Sequence, residues 1–171
     1  MDLQRFTFLG REFLTWLWFE AERSQGLVKT EQFGAVTVEF GQRLVLESGG
    51  NVREGSTVQA EAPSQTEEAR TALRTGKKVA RARLTLTSGE RQYTLGIDAE
   101  TLVFSSVKLP TILAGEDAQR LEERLRLLDE VEAIVDELYM TFIRIRKDAE
   151  TWGPVREAIR SWVSSETAEA Q

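Results

Sequence analysis

Five cationic side chains are concentrated in the ten-residue stretch RTGKKVARAR, which runs from position 74 to position 83. They are Arg74, Lys77, Lys78, Arg81 and Arg83. Guanidinium and ammonium groups bind phosphate oxygens through charge and hydrogen bonds, and such contacts fix a protein on a nucleic acid without reading its bases. The chemistry that this stretch suggests is therefore anion binding, with a nucleic-acid backbone as the candidate ligand.

The spacing of these cations suits a β-strand, in which alternate residues share a face. Lys77, Arg81 and Arg83 are predicted to project from one face, in a row of about 20 Å at roughly 3.3 Å per residue. The other face is predicted to carry a second set, namely Lys78, Ala80, Ala82 and Leu84. The alternative is a solvated sheet face on which the arginines pair with acidic neighbours, with Glu67, Glu68 and Glu90 as the candidates.

Composition limits the other chemistry open to the chain. It has 171 residues and a net charge of −6, with neither histidine nor cysteine. The lack of cysteine removes disulfides and thiol nucleophiles, and the lack of histidine removes the commonest general base and metal ligand. No nucleophile–base pair, metal-ligand set or cofactor motif can be assembled from the remaining residues, so we expect no catalytic site, metal or cofactor. We also expect a cytoplasmic protein without a membrane partner, because no apolar run approaches the roughly 20 residues that span a bilayer.

The most apolar segment is FLGREFLTWLWFEAE, from position 8 to position 22. Its helical periodicity predicts a helix from Gly10 to Arg23. The predicted core face consists of Phe13, Leu14, Leu17, Trp18 and Ala21, widened by Trp16 and Phe19. Aromatic side chains can also stack on unpaired bases, but the helical spacing favours a buried core helix.

The middle of the chain reads as an antiparallel sheet interrupted by one helix. Two alternating runs around Gly41 and Gln42 predict a hairpin, and a further strand is predicted near position 57. A helix is predicted from a capping box at Ser64 to a left-handed stop at Gly76. Two long strands about a turn at Ser88, and another before Pro110, complete the predicted sheet.

The last third is predicted to be helical, with a heptad pattern that suits packing on a sheet or on a partner helix. The heptad positions are Leu121, Leu128, Val135 and Phe142, with Val131, Leu138 and Ile145 as the companion series and Leu125 and Ile134 beside them. Gly153 and Pro154 are predicted to end this helix and start a short final one. The predicted fold class is α+β: an antiparallel sheet with an N-terminal aromatic helix and a long C-terminal helix packed on it. We expect one domain over residues 1–163 and a disordered polar tail over 164–171.

Three segments of the chain resemble the C-terminal portion of the recombination-associated protein RdgC family, a bacterial family of DNA-binding proteins. The segments are FLGREFLTWLWF, then LVLESGGNVREG followed by TEEARTALRTGKKVARARLTL, and finally FSSVKLP. The resemblance implies a non-enzymatic protein that binds double-stranded DNA with little sequence preference, through the cations of RTGKKVARAR. Family members form ring-shaped dimers around DNA and antagonise the RecA recombinase.

The resemblance covers about residues 8–110 and omits the family's N-terminal half. It therefore implies a homodimer, or a partner chain that supplies the missing half, and association with the nucleoid. The rival hypothesis is an assembly protein whose aromatic and heptad helices mediate oligomerisation without nucleic-acid binding. Salt separates the two, because phosphate contacts weaken steeply with salt and apolar interfaces hardly respond.

Overall fold

The computed structural model describes residues 7–48, 55–59 and 67–165. These residues form four helices and six strands. The helices are α1 (Thr7–Arg23), α2 (Glu67–Arg74), α3 (Asp117–Lys147) and α4 (Ala149–Ser164). The strands are β1 (Leu27–Lys29), β2 (Ala35–Glu47), β3 (Gly55–Gln59), β4 (Lys78–Ser88), β5 (Arg91–Asp98) and β6 (Phe104–Lys108). The predicted α+β class is confirmed.

The strands form one antiparallel sheet in the order β1-β2-β4-β5-β6, with β3 also paired to β2. β1 and β3 pair with opposite ends of β2, and β4 pairs along most of its length. Alternate strand residues such as Val38, Leu84 and Leu95 are buried against the helices. The alternation of apolar and polar residues therefore gives the sheet one helix-covered face and one polar face.

Helix α1 is buried on nearly all sides because it lies between the sheet and the C-terminal helices. Trp16 and Trp18 are 1% and 0% exposed, which confirms their predicted place in the core. On one side, Phe13 meets the α3 rings of Tyr139 and Phe142, with centroids 5.2 and 5.8 Å away. On the other side, Gly10 approaches the turn after β5 so closely that a Cβ would lie 1.7 Å from a backbone oxygen. A helix that is apolar around its circumference needs this double cover.

The predicted hairpin at Gly41 and Gln42 is wrong. Both runs belong to the single strand β2, and both pair with β4: Phe40 lies opposite Leu84, and Leu44 lies opposite Ala82. Between these two pairs, three residues of β2 oppose one of β4, so the turn-like residues are absorbed as a bulge. Continued pairing on both sides of the bulge outweighs the local tendency to reverse.

The predicted helix break at Gly153 and Pro154 is also wrong, because both residues lie inside α4. The break is at Asp148, which caps α4 by accepting hydrogen bonds from the Glu150 backbone N–H at 3.1 Å and from the Thr151 hydroxyl at 2.6 Å. The predicted polar tail begins at Ser164, which is the last residue of α4, and its residues 166–171 lie outside the described residues. Ser64, the predicted cap of α2, also lies outside them.

Candidate anion-binding surface

The sheet face turned away from the helices is polar, and we call it the open face. Its side chains are exposed or half-buried. They include Thr37, Glu39, Arg43 and Val45 of β2, Arg81, Arg83 and Thr85 of β4, Gln92, Thr94 and Asp98 of β5, and Ser105 and Lys108 of β6. With Lys29 of β1, five cations of the described residues lie on this face with two carboxylates among them.

Arg81 and Arg83 lie on the open face, but the predicted row does not extend to Lys77. Arg81 is opposite Val45 and Val79 is opposite Leu46, so one residue of β4, Ala80, has no partner in β2. Both Val79 and Ala80 are buried, which breaks the alternation on which the prediction relied. Lys77 precedes β4 and is half-buried.

The other two predicted cations are engaged on the helical side of the molecule. The Lys78 ammonium is 3.4 Å from a carboxylate oxygen of Glu12 in α1. Arg74 pairs with Glu67 at 2.6 Å, as the alternative interpretation expected, and donates to the carbonyl oxygens of Val163 and Ser165 at 3.0 Å each. Arg74 therefore holds the end of α4 and is remote from the open face.

Arg43 is the site residue that the sequence reasoning missed. It lies on β2, next to the β4 arginines, and its side chain is exposed. Within the described residues, neither Arg43 nor Arg83 forms an ion pair or a side-chain hydrogen bond. The alternation of Arg43 with the buried Leu44 could have placed it on a polar face, but only the pairing of β2 with β4 brings it beside Arg83.

The three arginines line a shallow depression of about 570 Å³ that crosses β2, β4, β5 and β6. We call it the arginine depression. Gly96 is part of its floor, and a Cβ there would lie 2.5 Å from the Ser105 hydroxyl oxygen. Ser105 and Ser106 line the β6 side, and Val45 and Val103 supply apolar surface. No aromatic side chain is among the described lining residues.

Asp98 is the one carboxylate among the described lining residues, and it pairs with Arg81 at 3.0 Å. Burial raises the pKa of Asp98, but hydrogen bonds from Arg81 and from the backbone of Thr101 and Glu100 outweigh burial, so the pKa lies below its ordinary value. The carboxylate therefore stays ionised at neutral pH. Three guanidinium groups and one carboxylate give the described lining a net charge of +2.

The negative charge of the chain is concentrated away from the open face. Residues 117–137 of α3 contain eight acidic residues and three arginines. α3 packs on the helical side, where its Glu130 accepts a hydrogen bond from Tyr93 at 2.8 Å. A chain of net charge −6 thus presents a locally positive surface.

No protein-family model matches the chain, and no curated protein matches it significantly. Among the described residues, no group of acidic side chains is arranged to hold a metal ion. None of the helices in the described part of the chain combines the length and apolarity needed to cross a membrane.

Proposed function

We propose that this protein binds the sugar–phosphate backbone of duplex DNA through the open face, as a non-enzymatic, sequence-independent binding protein. The observation that carries the proposal is the pair Arg43 and Arg83, which project beside Arg81 without an ion-pair partner in the described chain. Arginine binds phosphate oxygens through two parallel N–H groups, so each of these side chains can hold one phosphate in a defined orientation.

The absence of aromatic side chains from the described open face favours duplex over single-stranded DNA. Proteins that bind single strands stack unpaired bases on aromatic rings. The rings of Tyr93, Phe40 and Phe104 all belong to the helical side of the sheet, opposite the arginines. A surface that offers cations and hydroxyls, and no aromatic ring in its described part, suits the outside of a duplex, whose bases are already stacked.

The acidic α3 reconciles the net charge of −6 with binding to a polyanion. Repulsion between α3 and DNA orients the protein so that the open face meets the duplex first. Residence in the cytoplasm, association with the nucleoid and a role in recombination extend this proposal, and they rest on the resemblance to the RdgC family. The homodimer rests on the same resemblance.

The test is fluorescence anisotropy with a short labelled duplex of mixed sequence at low salt. The variant Arg43→Gln/Arg83→Gln is expected to weaken binding at least tenfold, because it removes about two phosphate contacts. Charge reversal at Arg81 and Arg83 is expected to abolish binding while the circular dichroism spectrum stays native. The matched control, Arg120→Gln/Arg124→Gln, removes the same charge from the exposed start of α3 and is expected to bind as well as the wild type. Equal losses in the two double glutamine variants would refute a site on the open face.

Assembly through α3 is a second candidate function, supported by a different observation. Leu121 and Leu125, predicted to lie within the heptad seam, are 59% and 54% exposed. Leu128 of that seam is half-buried, and the fully buried part begins at Val131 and continues through Val135 to Phe142. The first third of α3 therefore extends an apolar stripe beyond the core, where another helix could cover it.

Sedimentation velocity tests the assembly candidate. If α3 mediates self-association, the wild type sediments as a dimer and Leu121→Ser/Leu125→Ser as a monomer with an unchanged melting temperature. A monomeric wild type at high protein concentration would exclude this candidate for the isolated chain.

A further inference from the structure

We infer that the arginine depression is a binding site for a single phosphomonoester dianion, the group found at a phosphorylated nucleic-acid terminus and on phosphorylated small molecules. This inference rests on the proposed function in one respect: the arginines of the open face must be free to meet a phosphate ligand.

Charge is the first argument. The described lining carries three guanidinium groups and the Asp98 carboxylate, which leaves a net charge of +2. A phosphodiester within a nucleic-acid backbone carries one negative charge, whereas a phosphomonoester carries about 1.5 to 2 at neutral pH. The charge of the depression is therefore balanced by a monoester and exceeds that of a diester.

The hydrogen-bonding groups of the depression are the second argument. Ser105 and Ser106 are adjacent in sequence, so in a regular strand their side chains would point to opposite faces. Here β6 is irregular between its pairs with Thr94 and Gly96, and Ser106 has a φ of 50°, so that both serines line the depression. Neither hydroxyl has a hydrogen-bond partner among the described residues. A monoester offers three terminal oxygens to these donors and to the guanidinium groups, and a diester offers two.

Shape is the third argument. The lack of a side chain at Gly96 makes room for the Ser105 hydroxyl to lie over the floor, since a Cβ there would be 2.5 Å from the Ser105 hydroxyl oxygen and 3.3 Å from its carbonyl oxygen. Ser106 also adopts a left-handed backbone conformation that is uncommon for a residue other than glycine. Such conformations cluster at ligand sites. The arginine depression, although shallow, has a volume of about 570 Å³, which is within the size range of small-ligand sites.

The composition of the chain makes pH a sharp test. Because there is no histidine and no cysteine, no side chain of ordinary pKa titrates between about pH 5.5 and 8. A monoester loses its second charge near pH 6, whereas a diester keeps one charge throughout this range. Any loss of affinity around pH 6 therefore reports the ionisation of the ligand.

The experiment is a titration of the full chain followed by the backbone amide signals of Gly96, Ser105 and Ser106. Ribose 5-phosphate and dimethyl phosphate are the probes, at about pH 7.5 and about pH 5.5. We expect ribose 5-phosphate to bind up to about fourfold more tightly at the higher pH, which is the ratio of the dianion fractions for a second pKa near 6, and dimethyl phosphate to bind weakly and equally at both. Arg43→Gln/Arg83→Gln is expected to lose the preference, and Arg120→Gln/Arg124→Gln to keep it.

A second arm separates the sources of the phosphate and the two proposals. It compares a short duplex with 5′-phosphate ends, the same duplex with 5′-hydroxyl ends, and a closed circular duplex. Tighter binding of the phosphorylated ends supports a nucleic-acid terminus, and a preference confined to ribose 5-phosphate supports a small-molecule ligand. Equal binding of monoester and diester at both pH values overturns the inference, and if the circular duplex still binds, the proposed function survives that result. Binding of ribose 5-phosphate without binding of any duplex overturns the proposed function and leaves the inference standing.

Discussion

The two tryptophans at the centre of α1 differ in the surroundings of their indole N–H groups. The Trp18 group donates to Glu22 at 2.8 Å, whereas the Trp16 group is buried without a hydrogen-bond partner. Both side chains are almost fully buried, so their replacement by phenylalanine removes similar packing and changes the polar contacts in opposite directions. The difference in stability between Trp16→Phe and Trp18→Phe therefore combines the loss of one hydrogen bond at Trp18 with the removal of one unpaired buried donor at Trp16.

The size of the difference follows from the contacts of Glu22. A hydrogen bond to a charged acceptor contributes about 1.5–3 kcal/mol. The lower end applies to Trp18, because Glu22 keeps the N–H groups of Arg70 and Trp162 at 2.9 and 3.1 Å. Loss of the unpaired Trp16 group instead removes a desolvation cost of about 1–3 kcal/mol. We expect Trp18→Phe to be less stable than Trp16→Phe by about 3 kcal/mol, or about 6–12 °C in melting temperature for a chain of this size.

Thermal and urea unfolding followed by circular dichroism measure this difference. Equal destabilisation of the two variants, or greater destabilisation of Trp16→Phe, would refute the reasoning. Alanine provides the calibration, because Trp16→Ala and Trp18→Ala each remove a core ring and are expected to cost about 3–5 kcal/mol. A double alanine variant as stable as the wild type would contradict the core assignment itself.

Three further predictions concern other parts of the molecule. Burial raises the pKa of Tyr93 to about 12, so the stability that its neutral phenol contributes is full below about pH 10 and is lost as pH rises from about 10 to 12. Burial also raises the pKa of Tyr139 above its ordinary value. Tyrosinate absorbance of the native protein should therefore show Tyr93 un-ionised at pH 10, and full ionisation of both tyrosines there would contradict this prediction. Val135 is 4% exposed, so Val135→Glu places an unpaired charge in the core. The substitution is expected to lower the melting temperature by more than about 6 °C. An unchanged melting temperature would exclude a buried seam at that position. Asp98→Asn keeps the acceptor oxygen that holds the following turn but releases Arg81 from its ion pair. The affinity for duplex DNA is therefore expected to rise by about threefold or more. A reduced affinity would show instead that Asp98 orients Arg81 for binding.

The sequence alone was sufficient to predict the features that depend on the residues of a single segment. The aromatic content of α1 required a buried helix, and Trp16 and Trp18 are in the core. Gly76 was predicted to stop α2, and it has a φ of 85° with its N–H bonded to the carbonyl of Leu73 at 2.9 Å. Both features depend on one segment and its intrinsic conformational preferences.

Features set by pairing with distant segments could not be predicted. Gly41 and Gln42 look like a turn until β4 is known to pair on both sides of them. The bulge at Ala80 likewise depends on its missing partner in β2, and it removed Lys77 from the predicted cation row. Arg43 joined the candidate site for the same reason, because strand order and not sequence distance places it beside Arg83.

The heptad pattern illustrates a third limit. It correctly identified Val135, Leu138 and Phe142 as buried, but Leu121 and Leu125 are exposed although they continue the same pattern. Periodicity identifies the apolar stripe of a helix and gives no information on how far its cover extends. At about 1.5 Å per residue, α3 is roughly 46 Å long, so its first turns extend beyond the part of the helix that packs on α1.

The salt dependence of duplex binding tests the central claim most directly. Release of counterions gives a slope of about −0.9 in log K against log salt for each phosphate contacted. With Arg43, Arg81 and Arg83 engaged, the wild type should show a slope of about −2.7 or steeper, and Arg43→Gln/Arg83→Gln should be shallower by about 1.8. The slope of Arg120→Gln/Arg124→Gln should equal that of the wild type. A wild-type protein that fails to bind duplex DNA at low salt, or a slope unchanged by the loss of Arg43 and Arg83, would contradict DNA binding through the open face.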